Sequence, residues 1–264
     1  MAEKNTKEAI ASLLKELNTV KNDVTIGRLS FKELTYEQQR KIVPNNSSIS
    51  DIIASIRNTL NEYIKQNVEF VDDVVKTDML TLDVRPFVLN VLAAISMGKE
   101  IKIDDKNYTL YEVQPEDLEK HLQPEVYKKD TFELVIDVPT IKEDTIYNAL
   151  LMNALSQYKN KQVRNLSDPD AVSITALYGF YENMKYIKSF TINGTTYNFI
   201  ELSTQDKINL LNQFPQKIIS LINRYRKQVD KLTEKAFTAT NVEDGSVQKI
   251  DSELQLFMVE NDEI

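Results

Sequence analysis

The chain contains no cysteine, which excludes disulfides, thiolate nucleophiles and thiolate zinc sites. A single histidine, His121, rules out His-rich metal clusters and argues against a histidine-based triad. Glycine occurs only five times, and no two copies lie close enough for a GxGxxG or phosphate-loop motif. With just seven prolines as well, long regular elements joined by few tight loops are expected. No run approaches the roughly 18 apolar residues of a membrane span. The opening stretch "MAEKNTKEAIASLLKELN" is interrupted throughout by Lys and Glu, so it predicts no apolar signal core. These absences predict a chain made and kept in a reducing cytoplasm.

What is present suits a folded protein. At 264 residues the chain is long enough to bury a real core as one large domain or two modest ones. A formal charge of −8 disfavours nonspecific nucleic-acid binding, which rests on neutralising phosphates. The charge is uneven. Val242 to Ile264 carries seven acidic residues and one Lys, whereas "QKIISLINRYRKQVDKLTEKAF" before it has six basic residues against two acidic. Solvated faces explain this most simply; alternatively the acidic tail folds back on the basic helix, or either docks a partner.

Periodicity predicts an α+β fold in which helices dominate, with short strands and two β-hairpins each leading into a capped helix. Lys4 to Lys21 carries a narrow helical stripe, "VTIGRLSF" reads as a strand, and "TYEQQRKIV" as a helix ended by Pro44. "NNSSISD" reads as a loop before an amphipathic helix through Ile52, Ile53, Ile56, Leu60, Tyr63 and Ile64. "DMLTLDVRPFVLNVLAAISMG" is the most apolar helix, with Asp83 as its expected N-cap, Pro86 in its first turn and Gly98 as its stop. A hairpin around "DDKN", a strand at "TFELVIDVP" and a helix at "KEDTIYNALLMNALSQY" come next, then "RNLSDPD" as a linker. Beyond it come a helix, a hairpin around Asn193-Gly194 and a long helix that Pro215 should kink or split. This predicts residues 1–165 as a helical domain with the first hairpin, 166–240 as a helix–hairpin–helix region, and 241–264 as an acidic tail in which "LQLFMV" forms a strand or docking segment.

Part of the pattern repeats. "KIDDKNYTLYEVQPED" recurs 89 residues later as "TINGTTYNFIELSTQD". Extended to Leu122 and Leu211, the ungapped pairing has five identities: Ile103/Ile192, Tyr108/Tyr197, Glu112/Glu201, Asp117/Asp206 and Leu122/Leu211. "LSFKELTYEQ" is a shorter third copy in the same register. Thr35, Gln114 and Ser203 are each expected to cap a following helix, with Gln38, Asp117 and Asp206 reaching back from three residues on. Strand-to-helix punctuation used three times accounts for the pattern, as would an internal duplication.

No catalytic, metal or cofactor residues can be assigned. The acidic clusters "VDDVV", "IDDK" and "VEND" lack the EF-hand spacing and read as turns or solvated surface. His121 reads as a surface residue. Tyr108, Tyr111, Tyr178, Tyr181, Tyr186 and Tyr197 crowd around the two hairpins, and tyrosine suits both interfaces and half-buried sheet faces. Tyr108, Tyr111, Tyr197 and Phe199 are the candidate partner-contact residues.

Two stretches, "LSFKELTYEQQRKIV" and "DVRPFVLNVLAAISMGKEIKI", resemble in order and spacing the baseplate hub family of T-even-like contractile bacteriophages. Leu34-Thr35 matches a strand leading into a Leu-Thr helix start. Ser96-Met97-Gly98 matches a Ser-x-Gly turn ending the middle helix, which Arg85 to Phe87 begin. The resemblance covers roughly residues 24–115. It implies a non-enzymatic tail component that binds other tail or baseplate proteins, including the tape-measure or tube protein. It also implies residence in the host cytoplasm during assembly and then in the virion, with no cofactor, nucleic acid or membrane span; homo-oligomer formation stays open. The alternatives are a tail assembly chaperone and a cellular protein–protein adaptor. A third reading, a hydrolase or transferase, would be favoured by carboxylates of shifted ionisation gathered in one pocket.

Overall fold

The computed structural model describes residues 23–42, 49–72, 75–158 and 168–257. The stripe at Lys4–Lys21, the end of the helix at Pro44, most of "NNSSISD", the boundary at residue 165 and "VEND" lie outside them. The fold is α+β, with seven α-helices and three antiparallel sheets among the described residues.

The first sheet has the order β1-β2-β3, from Val24–Ile26, Leu29–Phe31 and Val68–Phe70. "VTIGRLSF" is therefore a hairpin and not one strand, because Gly27 takes a positive φ of 57° and turns the chain. Helices α1 (Tyr36–Ile42) and α2 (Ile49–Asn67) follow, the latter burying Leu60, Tyr63 and Ile64. At the head of α1 the Thr35 N–H donates to Gln38 Oε1 at 2.8 Å and the Gln38 N–H to Thr35 Oγ1 at 3.3 Å, a reciprocal cap.

Helix α3 (Arg85–Met97) is buried at every position from Arg85 to Ala93, as expected of its apolar run, and Gly98 ends it at φ 99°. Asp83 is not its N-cap. Val84 holds that position with no side-chain cap, while the buried Asp83 Oδ2 accepts the His121 N–H at 3.0 Å and the Leu122 N–H at 3.3 Å. Satisfying those loop donors inside the protein outweighs capping a helix that Pro86 already starts.

The second sheet, order β11-β10-β5-β4, joins Glu100–Ile103 (β4) and Lys106–Leu110 (β5) to Thr238–Asn241 (β10) and Val247–Lys249 (β11). The stretch expected to be a tail from residue 241 thus begins inside a sheet, with Ala239 opposite Leu110 and Asn241 opposite Tyr108. Its "LQLF" portion forms a 3-10 turn at Gln255–Phe257, with Leu256 and Phe257 buried in the first core. The third sheet, order β6-β7-β8-β9, consists of Glu125–Lys129, Phe132–Ile136, Ile187–Ile192 and Thr195–Asn198. Strands β7 and β8 are hydrogen-bonded neighbours, Leu134 opposite Phe190, so a division at residue 165 runs between two strands of one sheet. Helices α4 (Ile141–Leu155), α5 (Pro169–Met184), α6 (Thr204–Gln213) and α7 (Gln216–Thr233) cover it, and Pro215 separates the last two as expected.

The side chains form two cores. One gathers the first two sheets, α2, α3 and the C-terminal stretch; the other gathers the third sheet and α4–α7. Backbone bonds stitch them together: the Leu82 N–H donates to Pro139 O at 2.9 Å and the Ile141 N–H to Leu80 O at 2.8 Å.

The repeated stretches become two-residue hairpins. Asp104-Asp105 and Asn193-Gly194 both take positive φ at the two central positions, the geometry that matches strand twist. Beyond the second strand the two copies diverge. Ser203 Oγ accepts the Asp206 N–H at 3.1 Å and opens α6. After Gln114 there is only a 3-10 turn, Pro115–Leu118, although Asp117 Oδ2 does accept the Gln114 N–H at 2.9 Å. Asp83 holds the His121 and Leu122 amides, and Pro124 disfavours helix at the residue before it.

Candidate functional site

The four candidate contact residues do not share one surface. Tyr108 is 7% exposed and Phe199 fully buried, so neither presents area to a partner in this conformation. The alternation that places Tyr on a hairpin face places it inward at β5. Tyr111 is half-buried, its hydroxyl donating to Asp117 Oδ2 at 3.1 Å and its ring edge-on to Phe87. Only Tyr197 is open, at 44%, stacked on Phe190 at 5.2 Å. Tyr108 and Tyr111 belong to one core and Phe199 to the other. Tyr181 and Tyr186 are also buried, and His121 is exposed, edge-on to Phe87.

The most distinctive polar arrangement lies where the two cores meet, beside a cavity of about 550 Å3. Helix α2 supplies Arg57 and Asn61, α3 supplies Arg85, α4 supplies Asp144 and Asn148, and α5 supplies Glu182 with Lys185 just past its end. The C-terminal stretch adds Glu253. Asp144 is completely buried. Its Oδ1 accepts from Lys185 Nζ at 2.8 Å, and its Oδ2 from Asn61 Nδ2 at 2.9 Å and Asn148 Nδ2 at 3.0 Å. Glu182 Oε1 accepts from Lys185 Nζ and from Arg57 Nη1, each at 2.8 Å. Arg85, nearly as buried, donates through Nε to Asn61 Oδ1 at 2.6 Å and through Nη1 to Glu253.

Three cations thus face three carboxylates. Burial pushes the Asp144 carboxyl up, but Lys185, Arg57 and Arg85 outweigh it and hold it well below the usual carboxylate range. Glu182 is likewise depressed, burial being outweighed by Lys185 and Arg57. Burial opposes the Arg57 charge, yet Glu182 and Asp144 hold its pKa above the ordinary value. On the cavity wall, burial and the nearby Glu182 push the Tyr186 phenol up, so it stays protonated. Two carboxylates of shifted ionisation do therefore meet beside the cavity, although of the two only Glu182 lines it. They are shifted in the same direction, by the cations that neutralise them. An acid–base pair needs pKa values pushed apart toward the working pH. This arrangement instead locks charge across five chain segments, as structural ion networks do.

The same shifts set a pH dependence. Both carboxylates have folded pKa values below their unfolded ones, so their stabilisation is fully present above about pH 4 and is lost as pH falls further. Denaturant melts should show a flat optimum near neutrality and a steep loss of stability below about pH 4. A stability unchanged down to about pH 2.5 would contradict the buried ion network.

Comparison with protein-family models, with curated proteins and with solved structures finds no match. The site therefore has to be read from its own chemistry. Among the described residues no group of three or more His, Asp or Glu is arranged to hold a metal, and no helix is long and apolar enough to cross a membrane. The ion network was not anticipated from sequence. Its traces are Arg85 abutting an apolar run broken only by Asn90, and Asp144 and Asn148 four residues apart on the face that also carries Leu151 and Leu155.

Proposed function

We propose that this chain is a non-enzymatic structural or assembly component of a contractile phage tail baseplate or central hub. In this reading it binds other tail proteins, in the host cytoplasm during assembly and afterwards in the virion. The observation that carries the reading is a contact between the two places where the sequence resembles that family. The Leu34 N–H donates to Ser96 Oγ at 2.9 Å, and Gln39 Nε2 to the Ser96 carbonyl at 3.4 Å. The Leu-Thr helix start and the Ser-x-Gly helix end, 62 residues apart, are one joint, so the resemblance falls on a structural unit. Each hairpin with the cap behind it serves, in this reading, as a repeated mounting element.

The surface supports the reading too. Val242 and Val247, 56% and 69% exposed, flank the β10–β11 turn, and Tyr36, Val71 and Met79 stand open elsewhere. Strands β9 and β11 are sheet edges exposed at every residue, which another chain can pair with.

Mass spectrometry of purified tailed-phage particles tests this. The expected result is the chain at a fixed ratio to tail proteins. Its absence from particles, with association to tail intermediates only, would make it an assembly chaperone. No tail association at all would overturn the reading and leave a cellular adaptor.

A further inference from the structure

Past β11, the stretch from Ile250 to Phe257 lies over the junction of the two cores and forms one wall of the cavity. Ile250 still donates its N–H to Phe237 O at 2.8 Å. From there on, the backbone N–H bonds of this strap stay within it: Asp251 to Gln255 Oε1 at 2.9 Å, Gln255 to Ser252 O at 3.1 Å, and Phe257 to Leu254 O at 2.9 Å. Among the described residues no ladder ties it to a sheet. Side chains hold it: Leu256 and Phe257 in the core near α3, and Glu253 on Arg85.

A segment held only by side chains separates from its seat without breaking secondary structure, and such segments open below the global unfolding limit. What it leaves behind has a definite chemistry. With Glu253 seated, Arg57, Arg85 and Lys185 are balanced by Asp144, Glu182 and Glu253; with Glu253 gone, three cations face two carboxylates. Of the other charged residues on the cavity wall, Arg226 and Asp230 are opposite in sign, Lys249 pairs with Glu234 at 3.4 Å, and Asp251 belongs to the strap itself. The vacated seat sets Ile56, Leu82, Pro86, Val229 and Phe237 beside a guanidinium that has lost its carboxylate, a charge imbalance that another carboxylate would relieve.

We infer that the strap is an internal placeholder in a docking groove, and that the groove takes in trans a partner-protein segment of the same chemistry: a carboxylate with apolar residues three and four positions on. The spacing is that of Glu253 to Leu256 and Phe257. The inference deepens the partner-binding part of the proposed function and does not depend on the partner being a tail protein. Absence of the chain from phage particles leaves its peptide binding unaffected.

The test uses the full chain and a labelled synthetic peptide spanning residues 250–257. In wild type the tethered strap competes; in Glu253→Gln its latch is gone while Arg85 remains. The variant should bind the peptide at least about tenfold more tightly than wild type, and a peptide with Gln in place of its Glu should lose that gain. Hydrogen exchange on wild type should show the Gln255 and Phe257 amides at least about a hundredfold less protected than those of Ala239 and Asn241. Equal weak binding by both chains, with Glu253→Gln folded by circular dichroism, would overturn the inference. So would strap amides protected as strongly as those of β10. If Glu253→Gln instead forms dimers that the peptide disperses, the occupant is the strap of a second copy, and the assignment to a different protein fails.

Discussion

Replacing Asp144 by Asn should destabilise the protein by about 3–5 kcal/mol, the cost of removing one member of a buried ion pair. Asp144 is wholly buried and Lys185 nearly so, so the lysine charge would lose a carboxylate where solvent screens little. Oδ1 faces an ammonium and Oδ2 faces two amide N–H groups, so an asparagine amide turns donors toward donors whichever way it is flipped. The loss corresponds to a fall in melting temperature of about 6–20 °C. Urea melts of Asp144→Asn, Lys185→Met and a double Asp144→Leu/Lys185→Met variant would separate the terms. Each single change leaves an uncompensated charge, whereas the double change removes both and should recover much of the loss. A single-variant effect below about 1 kcal/mol would mean that the pair is reached by solvent.

Phe199→Ala should cost about 3–5 kcal/mol, and Tyr197→Ala, two residues away, less than about 1 kcal/mol. Both lie at the end of the second hairpin, and both were candidate contact residues by sequence. Phe199 is fully buried in the second core. It also opens the 3-10 turn Phe199–Glu201, whose Ile200 carbonyl accepts Lys207 Nζ at 2.8 Å. Tyr197 is 44% exposed, and its main contact is the stacked Phe190 ring. Truncating it forfeits little burial, so any large consequence of Tyr197→Ala should appear in association and not in folding. Denaturant melts of the two variants, paired with sedimentation of each with a bound partner, check both halves. Similar stability losses for the two would contradict the difference in burial.

Local chemistry was legible wherever a residue's immediate neighbours decided its conformation. Asn193-Gly194 and Asp104-Asp105 turn the chain because those residues tolerate positive φ. Thr35 and Ser203 cap helices because their hydroxyls reach the amide three residues on. Pro215 divides α6 from α7 because it lacks the N–H that a continuous helix needs there. Gly98 stops α3 because its φ of 99° suits no other residue well.

Local reading failed where a distant group competed. Asp83 looks like an N-cap beside Arg85-Pro86, yet its carboxylate is taken by amides 38 and 39 residues away. The Pro115 turn carries the same capping signature as α6 and still stops after one turn. Asn241 reads as the start of an acidic tail, but β5 offers its strand Thr238–Asn241 a partner and the core buries Ala239 and Asn241. Tyr108 and Tyr197 occupy equivalent hairpin positions, opposite Ile101 and Phe190. One faces a core and the other solvent, because the two hairpins join different sheets.

By itself the sequence determined most of the helices, the two hairpins around Asp104-Asp105 and Asn193-Gly194, the absence of thiol chemistry, and the acidic character of the C-terminal stretch. Those properties depend on residue type and on spacings of two to four positions. Only the tertiary structure decided that Arg57, Arg85, Asp144, Glu182, Lys185 and Glu253 meet, since directly bonded members such as Arg85 and Glu253 stand 168 residues apart. No periodicity connects such positions. They assemble because α2, α4 and the strap pack at the junction of the two cores, where a buried charge persists only beside its opposite.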